Sequence, residues 1–230
     1  MLVEVWSDVV CPWCYLGKRR LEKAIAQFEY GSRVQVLWRS FQLNPEAGRD
    51  DGATVDMLTK QIGMAEDEVE QMHSHLTAMA AAEGLEYHLD RTRVTNTFDA
   101  HRLLHLAREK GDQNALEEAL FHAYFVDNRL LADHGVLADV ARSAGLKDTD
   151  VVRVLTTDLY AADVAEEQEE AARLGARGVP FFVVDRVYGV AGAQSVELIV
   201  ETLRRAWRHT RALPMATAQS HEDPPPQPSR

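Results

Sequence analysis

The pattern of apolar and polar positions predicts a strand, a helix and a second strand within the first 41 residues. Residues 2–6 are apolar except for one glutamate, which is typical of a buried strand. Apolar residues then recur at the spacing of one helix face, at Leu21, Ala24, Ile25 and Phe28. Residues 34–41 begin with an alternation of apolar and polar positions, which indicates a second strand. Such a unit is expected to be right-handed, with its two strands parallel.

The middle of the chain, residues 43–157, has no strand signals and consists of successive helical stripes. We therefore predict an all-helical insertion domain of ordinary domain size. The apolar positions that define the four main stripes are Val69, Met72, Leu76 and Ala80; Leu103, Leu104 and Ala107; Leu116, Leu120, Phe121 and Tyr124; and Val136, Leu137 and Val140.

Strand signals return in the last third of the chain. A helix over about 158–174 precedes two short apolar runs, 181–184 and 187–190, and the turn between them predicts an antiparallel hairpin. Ser195 suits the N-cap of a final helix. The order predicts an α/β fold in which residues 1–42 and 158–212 form one domain with a mixed sheet flanked by helices. The proline-rich segment 213–230 is expected to be disordered.

Charge and composition narrow the range of partners. The 230-residue chain carries a formal net charge of −11, which argues against nucleic acid or an anionic membrane as a partner. The acidic run at 166–170 is expected to be a solvated helix face. No stretch is long and apolar enough to predict a membrane span, and the first residues do not resemble a secretory signal. We therefore expect a cytoplasmic protein.

The only two cysteines of the chain lie in the sequence Cys11-Pro12-Trp13-Cys14, between the first strand and the first helix. Proline suits the first turn of a helix, so Cys11 is expected at the helix N-terminus, where free N–H groups and the helix dipole stabilise a thiolate. Cys14, one turn further on, could then close a disulfide with Cys11. The alternatives are half of a zinc site completed by His101 and His105, a structural disulfide, or two unreactive thiols. The redox pair fits the local context best, and we expect no bound metal.

Three further features of the sequence bear on the predicted site. Asp8, three residues before Cys11, could relay a proton when Cys14 attacks, or it could cap the end of the strand. Trp13 cannot donate to a thiolate as a histidine could, but its ring would shield the disulfide and offer an apolar contact. The spacing of His101 and His105 permits metal binding, although such histidines more often hydrogen-bond to the core or to solvent.

The chain resembles the DsbA family of thioredoxin-fold proteins, and more narrowly its FrnE branch, which is related to 2-hydroxychromene-2-carboxylate isomerases. The resemblance covers both ends and the middle of the chain, in segments 6–20, 38–45, 96–102, 178–183 and 189–194. It implies a thioredoxin fold with a large helical insertion, and a cis bond between Val179 and Pro180 beside the cysteines. It also implies that Asn96, His101 and Arg102 face the cysteines, and that the Val179 backbone is free to pair with a substrate segment.

These features together predict a thiol–disulfide oxidoreductase that works through Cys11 and Cys14 and needs no cofactor. The expected partners are protein or small-molecule thiols and disulfides, with glutathione as one possible co-substrate, and an unidentified redox partner. The alternative is a glutathione-dependent isomerase or transferase of the kappa-like type. The resemblance implies that those relatives carry a serine in the place of Cys11. A non-catalytic binding or chaperone module is a third hypothesis.

Overall fold

The structure is a computed structural model that describes the backbone of residues 1–217 and the side chains of residues 1–210. The helices and strands follow the order that the sequence predicts, with two short helices in the insertion besides the four main stripes. Their bounds are β1 Leu2–Ser7, α1 Pro12–Gln27, β2 Gln35–Ser40, α2 Thr54–Asp56, α3 Glu66–Ala82, α4 Phe98–Lys110, α5 Gln113–Phe125, α6 His134–Ser143, α7 Asp148–Thr156, α8 Ala161–Arg173, β3 Phe181–Val184, β4 Tyr188–Ala191 and α9 Val196–Thr217. None of these described helices is long and apolar enough to cross a membrane.

The four strands form one mixed sheet in the order β2-β1-β3-β4. β1 and β2 are parallel, as the strand–helix–strand pattern predicts, and the register pairs Leu2 with Gln35 and Ser7 with Ser40. β3 runs antiparallel to both β1 and β4. Asp185 and Arg186 connect β3 to β4 with φ angles of 46° and 59°, the left-handed conformation of a tight hairpin turn. The predicted hairpin and the α/β fold class are confirmed.

Alternation along β1 sends its side chains to two different cores. Val3 and Val5 pack with residues of α1, β3 and α9 on one face of the sheet. Trp6 points to the other face, where it packs near α8, and its indole Nε1 donates to the carbonyl of Glu167 at 2.8 Å. Helices therefore cover both faces of the sheet, and burial of this apolar surface is the main stabilising contribution to the domain.

The third and largest core belongs to the helical segment, and both cysteines lie within it. Residues 43–157 form α2 to α7 and turns, and their one β pairing is an isolated bridge between Ala53 and Arg93. Apolar residues of α3, α4, α5, α6 and α7 pack together there with the first turn of α1. The start of the cysteine-bearing helix is thus enclosed by the insertion.

The acidic run at 166–170 is not uniformly solvated. Glu167 is 4 % exposed, because its position on α8 faces the sheet. Its carboxylate accepts hydrogen bonds from Arg39, Arg108 and the backbone N–H of Ser40, and lies 3.2 Å from His105. Burial raises the pKa of Glu167, but these contacts outweigh burial and hold it well below its usual range. The prediction of one solvated helix face was therefore wrong for this residue.

The end of the described chain also differs from the prediction. α9 continues to Thr217, so residues 213–217 are helical, whereas the sequence predicts a disordered tail from residue 213. The rest of that predicted tail, residues 218–230, lies outside the described residues.

Candidate active site

Cys11 occupies the N-cap position of α1, as the sequence predicts. Its backbone is extended, with φ −91° and ψ 115°, and Pro12 begins the helix. The Cys11 N–H donates to the carbonyl of Asp8 at 2.9 Å, which closes the turn out of β1. The thiol Sγ lies 3.7 Å from the carbonyl oxygen of Val179. The residue is 4 % exposed, so only a small part of its surface is accessible.

Cys14 lies one turn further along α1 and is fully enclosed. Burial raises the pKa of its thiol well above the usual range, and the hydrogen bond and charge of Cys11 raise it further. The Asp8 backbone and the Ser7 side chain act in the opposite direction and lower the pKa of Cys14. Both cysteines are free thiols in this structure. The pair is therefore asymmetric: Cys11 is placed to meet a partner, and Cys14 is placed to meet only Cys11.

The loop before β3 forms the wall of the site opposite α1. The Val179–Pro180 peptide bond is cis. The carbonyl of Pro180 accepts a hydrogen bond from Gly192 N–H at 2.8 Å, which ties the loop to the end of β4. On its other side the proline ring packs against Gly17, where a Cβ atom would lie 2.9 Å from Pro180 Cγ. The absence of a side chain at Gly17 therefore lets α1 approach this loop closely.

The insertion supplies a side chain that sequence reasoning missed. The hydroxyl of Tyr87 donates to the carbonyl of Pro12 at 2.7 Å. Tyr87 also lines a cavity of about 640 Å³ along α3, whose walls include His73 and Leu89. Trp13, between the two cysteines, is 38 % exposed. Trp13 thus presents an exposed apolar side chain between the two cysteines.

The carboxylate of Asp8 hydrogen-bonds to the chain that follows β2. Its Oδ2 accepts a hydrogen bond from the backbone N–H of Leu43 at 2.8 Å. Its Oδ1 lies 3.5 Å from Nε2 of His101. Of the two roles that the sequence left open, the carboxylate contact with Leu43 corresponds to the capping role. The link between Asp8 and Cys14 runs through the Asp8 backbone.

The three insertion residues implied by the resemblance are placed differently from one another. His101 is buried next to Asp8. Arg102 instead holds the end of α7, since it donates to the carbonyls of Val154, Thr157 and Leu159. Asn96 ties down a loop, donating to the carbonyls of Pro45 and Ala47. The contacts of Arg102 and Asn96 therefore correct the expectation that they face the cysteines.

The histidine spacing on α4 does not make a metal site in the described part of the chain. His105 lies 3.1 Å from the Ser40 hydroxyl and shares the network of Glu167, away from His101. Among residues 1–217 there is no group of three or more His, Cys, Asp or Glu side chains that could hold a metal ion.

Glu117 is a second group at the site that sequence reasoning missed. It is fully buried on α5, and its Oε1 accepts a hydrogen bond from the Ser7 hydroxyl at 2.8 Å. A signal for it exists in the sequence, because Glu117 stands three and four residues before Leu120 and Phe121 and so occupies a position on the apolar stripe of α5. A carboxyl group on such a stripe indicates a buried acid.

A mixed sheet with a cysteine pair at the mouth of its first helix, facing a cis-proline loop, defines a protein of the thioredoxin-fold class. Comparison with known families makes this assignment narrower. The chain belongs to the family of DSBA-like thioredoxin domains, whose model matches residues 2–204.

Individual relatives agree with this assignment. A probable DsbA oxidoreductase from Streptomyces coelicolor is 46 % identical to this chain, with a TM-score of 0.87 over 90 % of each chain. The uncharacterised protein YwbO of Bacillus subtilis is 27 % identical over 202 residues, which are 85 % of this chain and 93 % of YwbO. A 2-hydroxychromene-2-carboxylate isomerase superposes with a TM-score of 0.67 over 93 % of this chain and 99 % of its own. At 17 % identity, that last similarity concerns the fold alone.

Proposed function

We propose that this protein is a thiol–disulfide oxidoreductase that exchanges disulfides through Cys11 and Cys14. The Cys11 thiolate attacks one sulfur of a substrate disulfide and releases the other sulfur as a thiolate. Cys14 then attacks Cys11 Sγ, which breaks the mixed disulfide and releases the second substrate thiolate. The substrate disulfide is reduced by two electrons, and the cysteine pair is oxidised to a disulfide. The reverse sequence oxidises a substrate dithiol.

The asymmetry of the two thiols is the observation that carries this proposal. Cys11 occupies the N-cap position of α1, and its Sγ lies 3.7 Å from the carbonyl oxygen of Val179. Cys14 is enclosed and its pKa is raised, so it stays protonated until a mixed disulfide forms next to it. One nucleophile and one resolving thiol are what a two-step exchange requires. Membership of the DSBA-like family supports the same chemistry.

The Val179 carbonyl supports a specific mode of substrate docking. It lies 3.7 Å from Cys11 Sγ and belongs to a loop at the end of the sheet. An extended peptide segment carrying the target disulfide could pair with this backbone, as peptides do at exposed strand edges. Trp13 offers the apolar contact next to it.

Reduction of insulin with dithiothreitol as electron source tests the proposal. The wild-type protein should accelerate precipitation of the insulin B chain, and Cys11→Ser should be no faster than the uncatalysed reaction. If insulin precipitates no faster with the wild-type protein than without it, the proposed function is wrong and a binding module is favoured. If Cys11→Ser keeps full activity, Cys11 is not the nucleophile.

The glutathione-dependent isomerase remains the second candidate, favoured by the shared fold with a 2-hydroxychromene-2-carboxylate isomerase. The isomerase differs from the disulfide oxidoreductase in its need for glutathione and in its need for Cys14. Isomerisation of an aromatic hydroxychromene should depend on added glutathione and should not require Cys14. Activity of Cys14→Ser in that assay, together with none of the wild type on insulin, would favour the isomerase.

A further inference from the structure

The cavity of about 640 Å³ along α3 is a cleft with the length of a peptide segment. Its walls extend from Glu66, the first residue of α3, to Ala81, near the end of that helix. At the rise of an α-helix this distance is about 22 Å, which an extended peptide of about six or seven residues would span.

One side chain joins the cleft to the turn that carries the cysteines. Tyr87 lines the cleft, and its hydroxyl donates to the carbonyl of Pro12 at 2.7 Å. Pro12 directly follows Cys11 in the chain, so this wall of the cleft contacts the residue next to the nucleophile. A segment bound in the cleft therefore lies on the side of the reactive turn that faces the insertion.

The floor of the cleft is apolar and its rim is acidic. Val69, Tyr87 and Leu89 line the cleft with buried side chains. Glu66 and Glu70 line it with exposed side chains on the same helix. Apolar side chains of a bound segment would lose contact with water on this floor, which favours binding.

The acidic rim is not balanced by positive charge. Among the described residues, no lysine or arginine lines the cleft, and neither Glu66 nor Glu70 forms an ion pair. A third acid of the rim, Asp90, has only an exposed contact of 3.7 Å with Arg91. Burial lowers the pKa of His73 in the wall, so this side chain adds no charge at neutral pH. The rim therefore complements lysine or arginine side chains.

We propose that this cleft binds the segment of a protein substrate that flanks the cysteine attacked by Cys11, and that it selects segments in which apolar and basic residues are combined; this proposal rests on the exchange mechanism above. Apolar side chains of the segment pack on the floor, and basic side chains pair with Glu66 and Glu70. These contacts hold the substrate disulfide at Cys11 before the first exchange step. The insertion thus sets the substrate preference, while the sheet domain supplies the reacting sulfurs.

Peptides that carry thionitrobenzoate in a disulfide with their one cysteine test this selection. Cys11 attacks the peptide sulfur, a disulfide forms between Cys11 and the peptide, and thionitrobenzoate leaves with the electron pair of the broken S–S bond because it is the more acidic thiol. The initial rise in absorbance gives the rate constant of this step. Two peptides of about ten residues share their leucines and differ only in carrying lysines or glutamates at the same positions. With the wild-type protein we expect the lysine peptide to react at least about fivefold faster.

Charge variants on α3 separate the cleft from the net charge of the protein. Glu66→Gln should slow the lysine peptide about twofold to fivefold, and Glu66→Gln/Glu70→Gln should remove most of the preference. Asp67→Asn is the matched control, because Asp67 is the next residue on the helix but lines a different groove. It should leave the preference nearly unchanged. The thionitrobenzoate disulfide of N-acetylcysteine amide, which is too small to occupy the cleft, should react equally with all variants.

A pair of size variants tests occupancy of the cleft. Ala81 and Ala82 are neighbouring exposed residues of α3, and only Ala81 lines the cleft. Ala81→Trp should slow the lysine peptide at least about fivefold, since the indole fills the space of the bound segment. Ala82→Trp should react as the wild type does. If Glu66→Gln/Glu70→Gln does not fold by circular dichroism, this pair decides.

Equal rates of the two peptides with the wild type would overturn the selection by the cleft. So would an Asp67→Asn variant slowed as much as Glu66→Gln, or equal rates in Ala81→Trp and Ala82→Trp. In each of these cases the small reference compound still reacts, so the exchange mechanism stands. If the reduced wild-type protein releases no thionitrobenzoate from any of the compounds, the proposed function is wrong, and the part of the cleft in it is wrong as well.

Discussion

The hydroxyl of Tyr87 and the carbonyl of Pro12 form a hydrogen bond of 2.7 Å between the helical insertion and the helix that carries the cysteines. Pro12 lies between Cys11 and Cys14, so this bond fixes the insertion to the reactive turn itself. Tyr87 also packs against Tyr15 of α1, with ring centroids 5.9 Å apart. The insertion and the start of α1 therefore hold each other in place.

Tyr87→Phe should remove that hydrogen bond while keeping the stacked ring. We expect the free energy of unfolding to fall by about 1 kcal/mol, the usual net value of one intramolecular hydrogen bond. Urea titration followed by circular dichroism measures this difference. Tyr160→Phe, which removes a hydroxyl that donates to the Glu109 carboxylate at the surface, is the control and should cost less. Equal losses in both variants would argue against a special role for the Tyr87 contact.

The two thiols should react with alkylating agents in a fixed order. Cys11 lies at the helix N-terminus and is 4 % exposed, whereas Cys14 is fully buried with a raised pKa. Iodoacetamide at mildly acidic pH should therefore modify Cys11 of the reduced protein first, because the thiolate is the reactive form. Peptide mass spectrometry after short exposure identifies the modified residue. Faster labelling of Cys14 would show that the assigned roles are reversed.

Cys14→Ser should trap the intermediate of the exchange. Cys11 can still attack a disulfide, but no thiol remains to resolve the product. We expect a long-lived mixed disulfide with oxidised glutathione, visible as an added glutathione mass on the intact protein and removed by dithiothreitol. Cys11→Ser, treated in the same way, should carry little of this adduct.

Gly17→Ala should disturb the loop that faces Cys11. The new Cβ would lie 2.9 Å from Pro180 Cγ and 3.2 Å from Phe182 Cζ, and neither ring can move aside freely. Overpacking of this kind costs about 1–3 kcal/mol, which exceeds the gain of up to about 1 kcal/mol from replacing a helical glycine by alanine. We expect lower thermal stability and slower insulin reduction. Gly178→Ala, where a Cβ meets nothing within 4 Å, should leave stability nearly unchanged.

The stability of the protein should depend on pH through Glu117. Its pKa is about 7 in the folded protein and near 4.5 when unfolded, so the folded state binds the proton more tightly. This contribution to stability is complete below about pH 4.5 and is lost as the pH rises to 7; it amounts to at most about 3 kcal/mol. The difference in unfolding free energy between Glu117→Gln and the wild type should therefore increase with pH over this interval.

Glu118→Gln should show the opposite dependence in the same titration. Burial raises the pKa of Glu118, but hydrogen bonds from Lys18 and Tyr15 outweigh it and lower the pKa below the usual value. Its charged form is therefore stabilised by folding, and the variant should lose stability relative to the wild type as the pH rises from the lowered folded pKa to the unfolded pKa near 4.5, above which the difference stays constant. Parallel pH dependences in the two variants would contradict the assigned environments.

The sequence alone determined the features that depend on local pattern. The hairpin around Asp185 and Arg186 and the position of Cys11 at the N-cap of α1 follow from residues within a few positions of one another. The parallel pairing of β1 with β2 follows from the strand–helix–strand order of the first 41 residues. Periodicity, turn residues and a proline after the first cysteine are enough to specify them, because their conformations are set by short-range sterics and hydrogen bonds.

Only the tertiary structure decided which distant polar groups meet at the site. Ser7 and Glu117 are 110 positions apart, and Pro12 and Tyr87 are 75 apart. Likewise, Arg102 turned to the end of α7 and Glu167 to the sheet. Each of these side chains found its partners through helix packing around the apolar cores, and the packing angle between helices is not encoded in the pattern of any one of them. For buried polar groups, the partner is selected by which faces the packed helices and sheet bring together.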